Sequence, residues 1–220
     1  MEKETADSAF LTTERLFTEE ACESMIRDRA EMLHYGETLQ ALAYAKRAHA
    51  GQTRKNSRVP YINHPLTVCC HAIALGLIEE EIWTACLLHD VVEDCGISCE
   101  ELPVSRRVQE LVGLLSHGDK GDPAGMETYY RRIATNPTAS LIKCLDRCSN
   151  LNTMIWGFSR RDMIRYIRET EDRILPLLAV AETEPRFRDA VWLLRYQMLA
   201  VLDICKRALQ QGEDEHARKQ

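Results

Sequence analysis

Thr84-Ala85-Cys86-Leu87-Leu88-His89-Asp90-Val91-Val92-Glu93-Asp94-Cys95 begins as an apolar helical run and ends in four ionisable groups, His89, Asp90, Glu93 and Asp94. On an unbroken helix His89 and Glu93 lie four residues apart, as do Asp90 and Asp94. Each pair then shares a face, and the two faces adjoin. Closing an apolar segment with so much charge is costly unless a cation or a polar substrate compensates it. The stretch therefore predicts a core helix with a site at its end.

Helical signals continue in both directions. Upstream, Glu37–His49 is rich in Ala and Leu at helical spacing and stops at Gly51, and a polar, basic loop runs from Gln52 to Pro60. Pro65–Leu75 opens with proline and closes at Gly76, and Glu79–Val92 carries the opening stretch. Downstream, Val104–Ser116 precedes the Gly118–Pro123 loop, and Asn136-Pro137 divides Met126–Thr135 from Pro137–Met154. Ser159–Val180 is interrupted near Pro176, Pro185–Leu209 is a long last helix, and Gln210–Gln220 reads as a frayed polar tail. Strand alternation is nowhere convincing, and the fold class expected is an all-α bundle. The organisation expected is an N-terminal helical and partly ordered segment over 1–36, a domain over 37–172, and a C-terminal helical extension with a polar tail over 173–220.

A chain of 220 residues with 45% hydrophobic and 28% charged residues is ordinary for a soluble globular protein. No apolar run approaches the ~20 residues of a membrane span, and the acidic N-terminus lacks a signal core, so a cytoplasmic protein off the membrane is expected. A net charge of −6 argues against nucleic acid as a partner, while leaving room for a small anion in a local basic pocket. Nine cysteines without a Cys-x-x-Cys pair read as free, mostly buried thiols. The sequence leaves a homo-oligomer open.

His89-Asp90 needs partners, because a catalytic dication takes three or more protein ligands. Two candidates stand out: His64, at a helix entry in Pro60-Tyr61-Ile62-Asn63-His64-Pro65, and Asp146, an acid on an otherwise apolar helical face. Two His and two Asp form a borderline-hard set suited to Mn²⁺, Fe²⁺ or Zn²⁺ rather than to Ca²⁺. Taken singly, His64 also reads as a helix-entry residue and Asp146 as an ion-pair partner of Arg147.

The order His64, His89-Asp90, Asp146 resembles the HD-domain metal-dependent phosphohydrolases. The surrounding words resemble the (p)ppGpp hydrolase domain of the RelA/SpoT family and its small stand-alone alarmone hydrolases. Those words are Ala48-His49-Ala50-Gly51-Gln52-Thr53-Arg54-Lys55, Pro60-Tyr61-Ile62-Asn63-His64-Pro65-Leu66-Thr67-Val68, Leu87-Leu88-His89-Asp90-Val91-Val92-Glu93-Asp94 and Ile142-Lys143-Cys144-Leu145-Asp146-Arg147-Cys148-Ser149-Asn150-Leu151. The similarity around them covers roughly residues 37–170. The resemblance implies an HD fold in which His64, His89, Asp90 and Asp146 hold the metal, Mn²⁺ in this family. It implies that Glu93 and Asp94 are the catalytic carboxylates serving the attacking water and the leaving oxygen. It also implies that Arg54 lies near the nucleotide and that Asn150 contacts its sugar.

The residues support such chemistry in their own right. A carboxylate can accept the proton of an attacking water, and Arg54 with Lys55 could offset developing phosphoryl charge, although a solvated basic loop explains the same pair. Lys143 and Tyr129 are also assigned to substrate binding, with a core aromatic as the bland alternative for Tyr129. His71 and His117 have no partner evident in the sequence and read as structural. Two departures touch the surfaces that would shape a base pocket. Ser149 stands where the family usually has histidine, and Leu115-Ser116-His117 replaces a Val-Thr-Lys.

The leading expectation is removal of 3′-pyrophosphate from (p)ppGpp-like guanosine nucleotides. The alternatives are an HD phosphohydrolase acting on another nucleotide or phosphorylated cofactor, such as a nucleoside monophosphate or NADPH, and a non-catalytic nucleotide sensor.

Overall fold

The structure is a computed structural model that describes residues 17–54, 58–117 and 123–218. Lys55 and residues 1–16 of the N-terminal segment discussed above lie outside the described residues. Everything regular is helical, and the one β feature among the described residues is an isolated bridge between Thr53 and Pro60.

The α-helices in chain order are α1 (Glu19–Met32), α2 (Gly36–Ala48), α3 (Asn63–Ala74), α4 (Glu80–Leu88), α5 (Val91–Cys95) and α6 (Arg106–Leu115). They continue with α7 (Pro123–Ile133), α8 (Pro137–Gly157), α9 (Arg160–Glu169), α10 (Leu175–Ala181) and α11 (Arg188–Arg218). Helix α8 is the axis of the bundle and packs against α3, α4, α6, α7, α10 and α11. Its start follows from Asn136-Pro137, since the Asn136 side chain accepts the Ala139 N–H at 3.0 Å and Pro137 occupies the first turn, where a missing N–H costs nothing. Leu141, Ile142, Leu145, Leu151 and Met154 give it an apolar flank, and Asp146 and Arg147 are buried among them.

One continuous cluster of buried apolar side chains runs from Cys22 on α1 to Cys205 on α11. Cys22, Ile26 and Ala30 pack α1 against α3, and Leu66, Val68, Cys69 and Ala72 carry α3 onto α4. All nine cysteines are free, six of them buried.

Three local features depart from the sequence expectations. The helix expected over Glu79–Val92 is divided: α4 ends at Leu88, Asp90 sits at φ −100° and ψ −9°, and α5 begins at Val91. The expected break near Pro176 is instead absorbed by a π-helical turn over Thr170–Ile174, with the Leu175 N–H reaching back to the Thr170 carbonyl. That wider turn lets the chain continue through a residue that cannot donate a backbone hydrogen bond. Finally, α11 does not stop at Leu209 but runs to Arg218, because Gln210, Gln211, Glu213 and Glu215 are adequate helix formers.

Candidate metal centre

Four residues from three segments converge on one point at the end of α4. His64 enters from the first turn of α3, His89 and Asp90 from the break between α4 and α5, and Asp146 from the middle of α8. His64 Nε2 lies 3.1 Å from Asp146 Oδ1 and 3.5 Å from Asp90 Oδ2. His89 Nε2 lies 3.1 Å from Asp90 Oδ2 and 3.8 Å from Asp146 Oδ1. One ligand atom from each of His64, His89 and Asp146 falls within 4.8 Å of the other two, and all three residues are buried. The interruption of the expected helix is what turns Asp90 toward His64. Tyr61 then donates its hydroxyl to Asp90 Oδ2 at 2.6 Å.

The outer nitrogens of the two imidazoles are already committed. His89 Nδ1 meets the Cys86 carbonyl at 2.8 Å, which requires that nitrogen to carry a proton. His64 Nδ1 pairs with Ser149 Oγ at 3.1 Å. Both rings therefore present Nε2 to the carboxylates, the arrangement in which outer partners fix tautomer and orientation for a metal ion. His89 Nε2 is buried and, despite its nearness to Asp90, is not aligned in a hydrogen bond with any group. A buried polar atom without a partner costs on the order of 1–3 kcal/mol, and a cation between the two Nε2 atoms and the carboxylates would remove that cost. The donor set and the orphaned nitrogen fit a divalent metal.

The electrostatics agree. Burial pushes Asp146 upward, but the Lys143 ammonium, a hydrogen bond from His64 and the nearby His89 ring hold it well below the carboxylate range. Asp90 is likewise raised by burial and lowered further by His89, with a net fall. Burial lowers His64. His89 is also penalised by burial, yet the charges of Asp90 and Asp146 raise it well above an ordinary imidazole. One buried and one partly buried carboxylate thus call for positive charge at His89 Nε2.

Beyond the ligands, a relay of polar side chains leads outward. Asn150 donates from Nδ2 to Asp146 Oδ1 at 2.6 Å, while its Oδ1 accepts from Arg54 Nη2 at 2.5 Å. The Arg54 guanidinium lies 5.5 Å from the Tyr61 ring centroid, held there by the hairpin-like closure of Arg54 N–H to the Val59 carbonyl. Arg54, Asn150 and His64 open onto a cavity of about 910 Å³.

Glu93 and Asp94 lie on α5 beside the centre. Glu93 Oε2 accepts the His117 N–H at 3.2 Å, and the Asp94 carboxylate is close enough to Tyr61 to help raise its hydroxyl pKa, behind burial and Asp90. Tyr129 and Lys143 do not line the cavity. Tyr129 is buried, donates to the Leu115 carbonyl at 2.6 Å and lies under Lys143 and Arg132. Lys143 pairs with Asp146 at 2.8 Å. The aromatic ring supports the ammonium that holds Asp146, so it is not an open stacking platform. Sequence reasoning missed Tyr61 and the hydroxyl role of Ser149. Tyr61 lies within the His64 word, and Ser149 was visible as a departure from the family's histidine.

Residues 41–118 match the family described as HD domain. Among curated relatives, the chain is 34% identical over 151 residues to the guanosine-3′,5′-bis(diphosphate) 3′-pyrophosphohydrolase of Aquifex aeolicus, covering 66% of this chain and 21% of that protein. It is 36% identical over 149 residues to the bifunctional (p)ppGpp synthase/hydrolase SpoT of Escherichia coli, covering 63% and 21%. It is also 36% identical over 148 residues to the GTP pyrophosphokinase of Streptomyces coelicolor, covering 63% and 17%. The chain thus spans about a fifth of the length of the curated relatives it matches. A solved structure described as a metazoan ortholog of SpoT that hydrolyzes ppGpp aligns with a TM-score of 0.59 at 24% identity, over 79% of this chain and 95% of that one. The all-α HD fold is shared with it. Among the described residues, no helix is long and apolar enough to cross a membrane.

Proposed function

We propose that this chain is a divalent-metal-dependent phosphohydrolase that removes the 3′-pyrophosphate of (p)ppGpp-like guanosine nucleotides. The observation that carries the reading is the unpartnered Nε2 of His89, grouped with His64, Asp90 and Asp146, where His64 also lines the 910 Å³ cavity. The names of the relatives support the substrate, with different weights. One of them is named a pyrophosphokinase, so the site rather than the whole-protein names has to decide the direction of the chemistry.

His64, His89, Asp90 and Asp146 would hold the metal, for which we propose Mn²⁺. A divalent cation there supplies Lewis-acid activation of a phosphoryl oxygen and makes water acidic enough to attack at neutral pH. Glu93 and Asp94, one turn beyond His89-Asp90, take the proton of the attacking water and return one to the leaving oxygen. Arg54 exchanges Asn150 for a phosphoryl oxygen, offsetting the charge that develops on it. Asn150 remains tied to Asp146 and offers its carbonyl oxygen to a sugar hydroxyl. Ser149 keeps the His64 ring oriented throughout.

The test incubates purified protein and Mn²⁺ with ppGpp, nucleoside monophosphates and NADPH, and separates the products. Release of GDP and pyrophosphate from ppGpp is the expected result. If ppGpp stays intact with Mn²⁺, Fe²⁺ and Zn²⁺ in turn, the reading is wrong.

A further inference from the structure

Helix α11 is apolar on two sides. Ala190, Val191, Leu194, Met198, Leu202 and Cys205 are buried in the core. The opposite face carries Trp192, Leu193, Tyr196, Leu199 and Ile204, which are 65%, 39%, 62%, 47% and 66% exposed. One apolar stripe is enough to hold a surface helix on its domain, so the second stripe has no role in that packing. The other large exposed hydrophobic side chains among the described residues, such as Phe17, Ile78 and Ile155, lie outside α11.

The Trp192 and Tyr196 rings, one turn apart, stack with centroids 6.0 Å from each other and planes 3° from parallel. At the area of a large apolar side chain, the five exposures amount to on the order of 500 Å² per copy. Isolated exposed hydrophobics need no explanation, but a contiguous patch of this size marks a surface that meets a partner. Doubled across an interface it reaches about 1,000 Å², the lower limit for a specific association.

The charges that bracket the stripe select the partner. Asp189 and Arg207 are both exposed and stand eighteen residues apart, which is five whole turns, so they lie on one line along the helix. Asp189 makes no ion pair among the described residues, and Arg207 holds Asp203 at 2.9 Å in a contact open to water. A second copy laid antiparallel on this face, about a two-fold axis level with Met198, sets Asp189 of each chain beside Arg207 of the other. The same axis brings Leu193 to Ile204 and Tyr196 to Leu199 across the contact. A parallel arrangement would set acid on acid and base on base. Arg188 points about 100° round the helix from Asp189 and lies off this line, and Asp203 shares Arg207.

We propose that the outer face of α11 is the interface of an antiparallel homodimer, with the stripe from Trp192 to Ile204 packed against its own copy. The proposal is independent of the reaction assigned to the metal centre. A two-fold interface repeats every contact, so each substitution acts twice.

The test is sedimentation equilibrium of the full chain from nanomolar to high micromolar concentration, with the melting temperature of each variant taken at the lowest concentration. The wild type should pass from monomer to a species of twice the mass as concentration rises. Trp192→Glu should stay monomeric throughout, with its melting temperature unchanged because the side chain lies outside the core. Asp189→Lys and Arg207→Glu should each weaken the dimer roughly tenfold, by turning two attractive rim contacts into repulsive ones. The double variant, with the charges exchanged, should assemble as the wild type does. A wild type that is monomeric at every concentration leaves the face to another occupant and overturns the proposal, as does a dimer of full strength in Trp192→Glu. Failure of the charge exchange to restore assembly overturns the antiparallel arrangement.

Discussion

Replacing Arg147 by methionine gives a sharp test of how α8 is anchored. The Arg147 side chain is 4% exposed. Its Nη2 pairs with Glu169 at 2.8 Å, its Nη1 reaches Thr170 Oγ1 at 3.2 Å, and its guanidinium carbon lies 3.8 Å from the Tyr166 ring centroid. Methionine keeps most of the apolar stem, so the loss falls on the head group. A hydrogen bond to a charged partner contributes about 1.5–3 kcal/mol, and a desolvated cation–π contact about 2 kcal/mol. Glu169, 29% exposed and also bonded to Tyr130, would be left without its cation. Its partial exposure lets water compensate in part, so the expected loss is about 3 kcal/mol, near the low end for breaking a buried pair. Urea unfolding at unchanged m would report it, and adding Glu169→Gln to Arg147→Met should restore about 1 kcal/mol by removing the stranded charge. A loss below about 1 kcal/mol for Arg147→Met would refute the reasoning.

The same pair predicts an acid limb. Burial raises Glu169, but Arg147 outweighs it and holds the carboxyl below its ordinary 4.5, so the stabilisation is complete above 4.5 and fades as pH falls through the lowered value. Glu169→Gln should flatten the stability curve in that window and nowhere else, as followed by melting temperature against pH. Ser149→Ala strips His64 Nδ1 of its partner and should weaken Mn²⁺ binding roughly tenfold in a calorimetric titration without moving the melt of the metal-free chain. Ile26→Ala on α1, at 0% exposure, should cost about 3 kcal/mol in the single main unfolding transition, whereas an appended N-terminal segment would leave that transition where it is. Gly96 closes α5 at φ 65° with nothing within 4 Å of an added Cβ, so Gly96→Ala should cost only the backbone strain, about 1 kcal/mol by chemical denaturation.

Most of the helical layout was legible because its punctuation is local. Asn136-Pro137 starts α8 by a side-chain cap and a proline that needs no donor, and Gly76 follows α3 in the left-handed region that other residues avoid. The break at His89-Asp90 was not legible. Neither residue disrupts a helix by propensity, and the interruption is set by what the two side chains reach, the Cys86 carbonyl for His89 and Tyr61 with His64 for Asp90. Tyr129 was misplaced for a similar reason, since periodicity says that a ring faces inward or outward but not whether a lysine and a carbonyl already occupy it.

The sequence by itself determined the helices, the absence of an alternating strand pattern, and the residue types able to bind a hard or borderline dication, because helix periodicity and ligand chemistry are properties of neighbouring residues. Only the tertiary structure decided which of those residues meet. His64 and Asp146 are 82 positions apart, Arg54 and Asn150 96, and His71 and Gln197 126. Contacts at such separations depend on how α3, α8 and α11 pack around a shared apolar core, and no local pattern along the chain encodes the distance between two side chains on different helices.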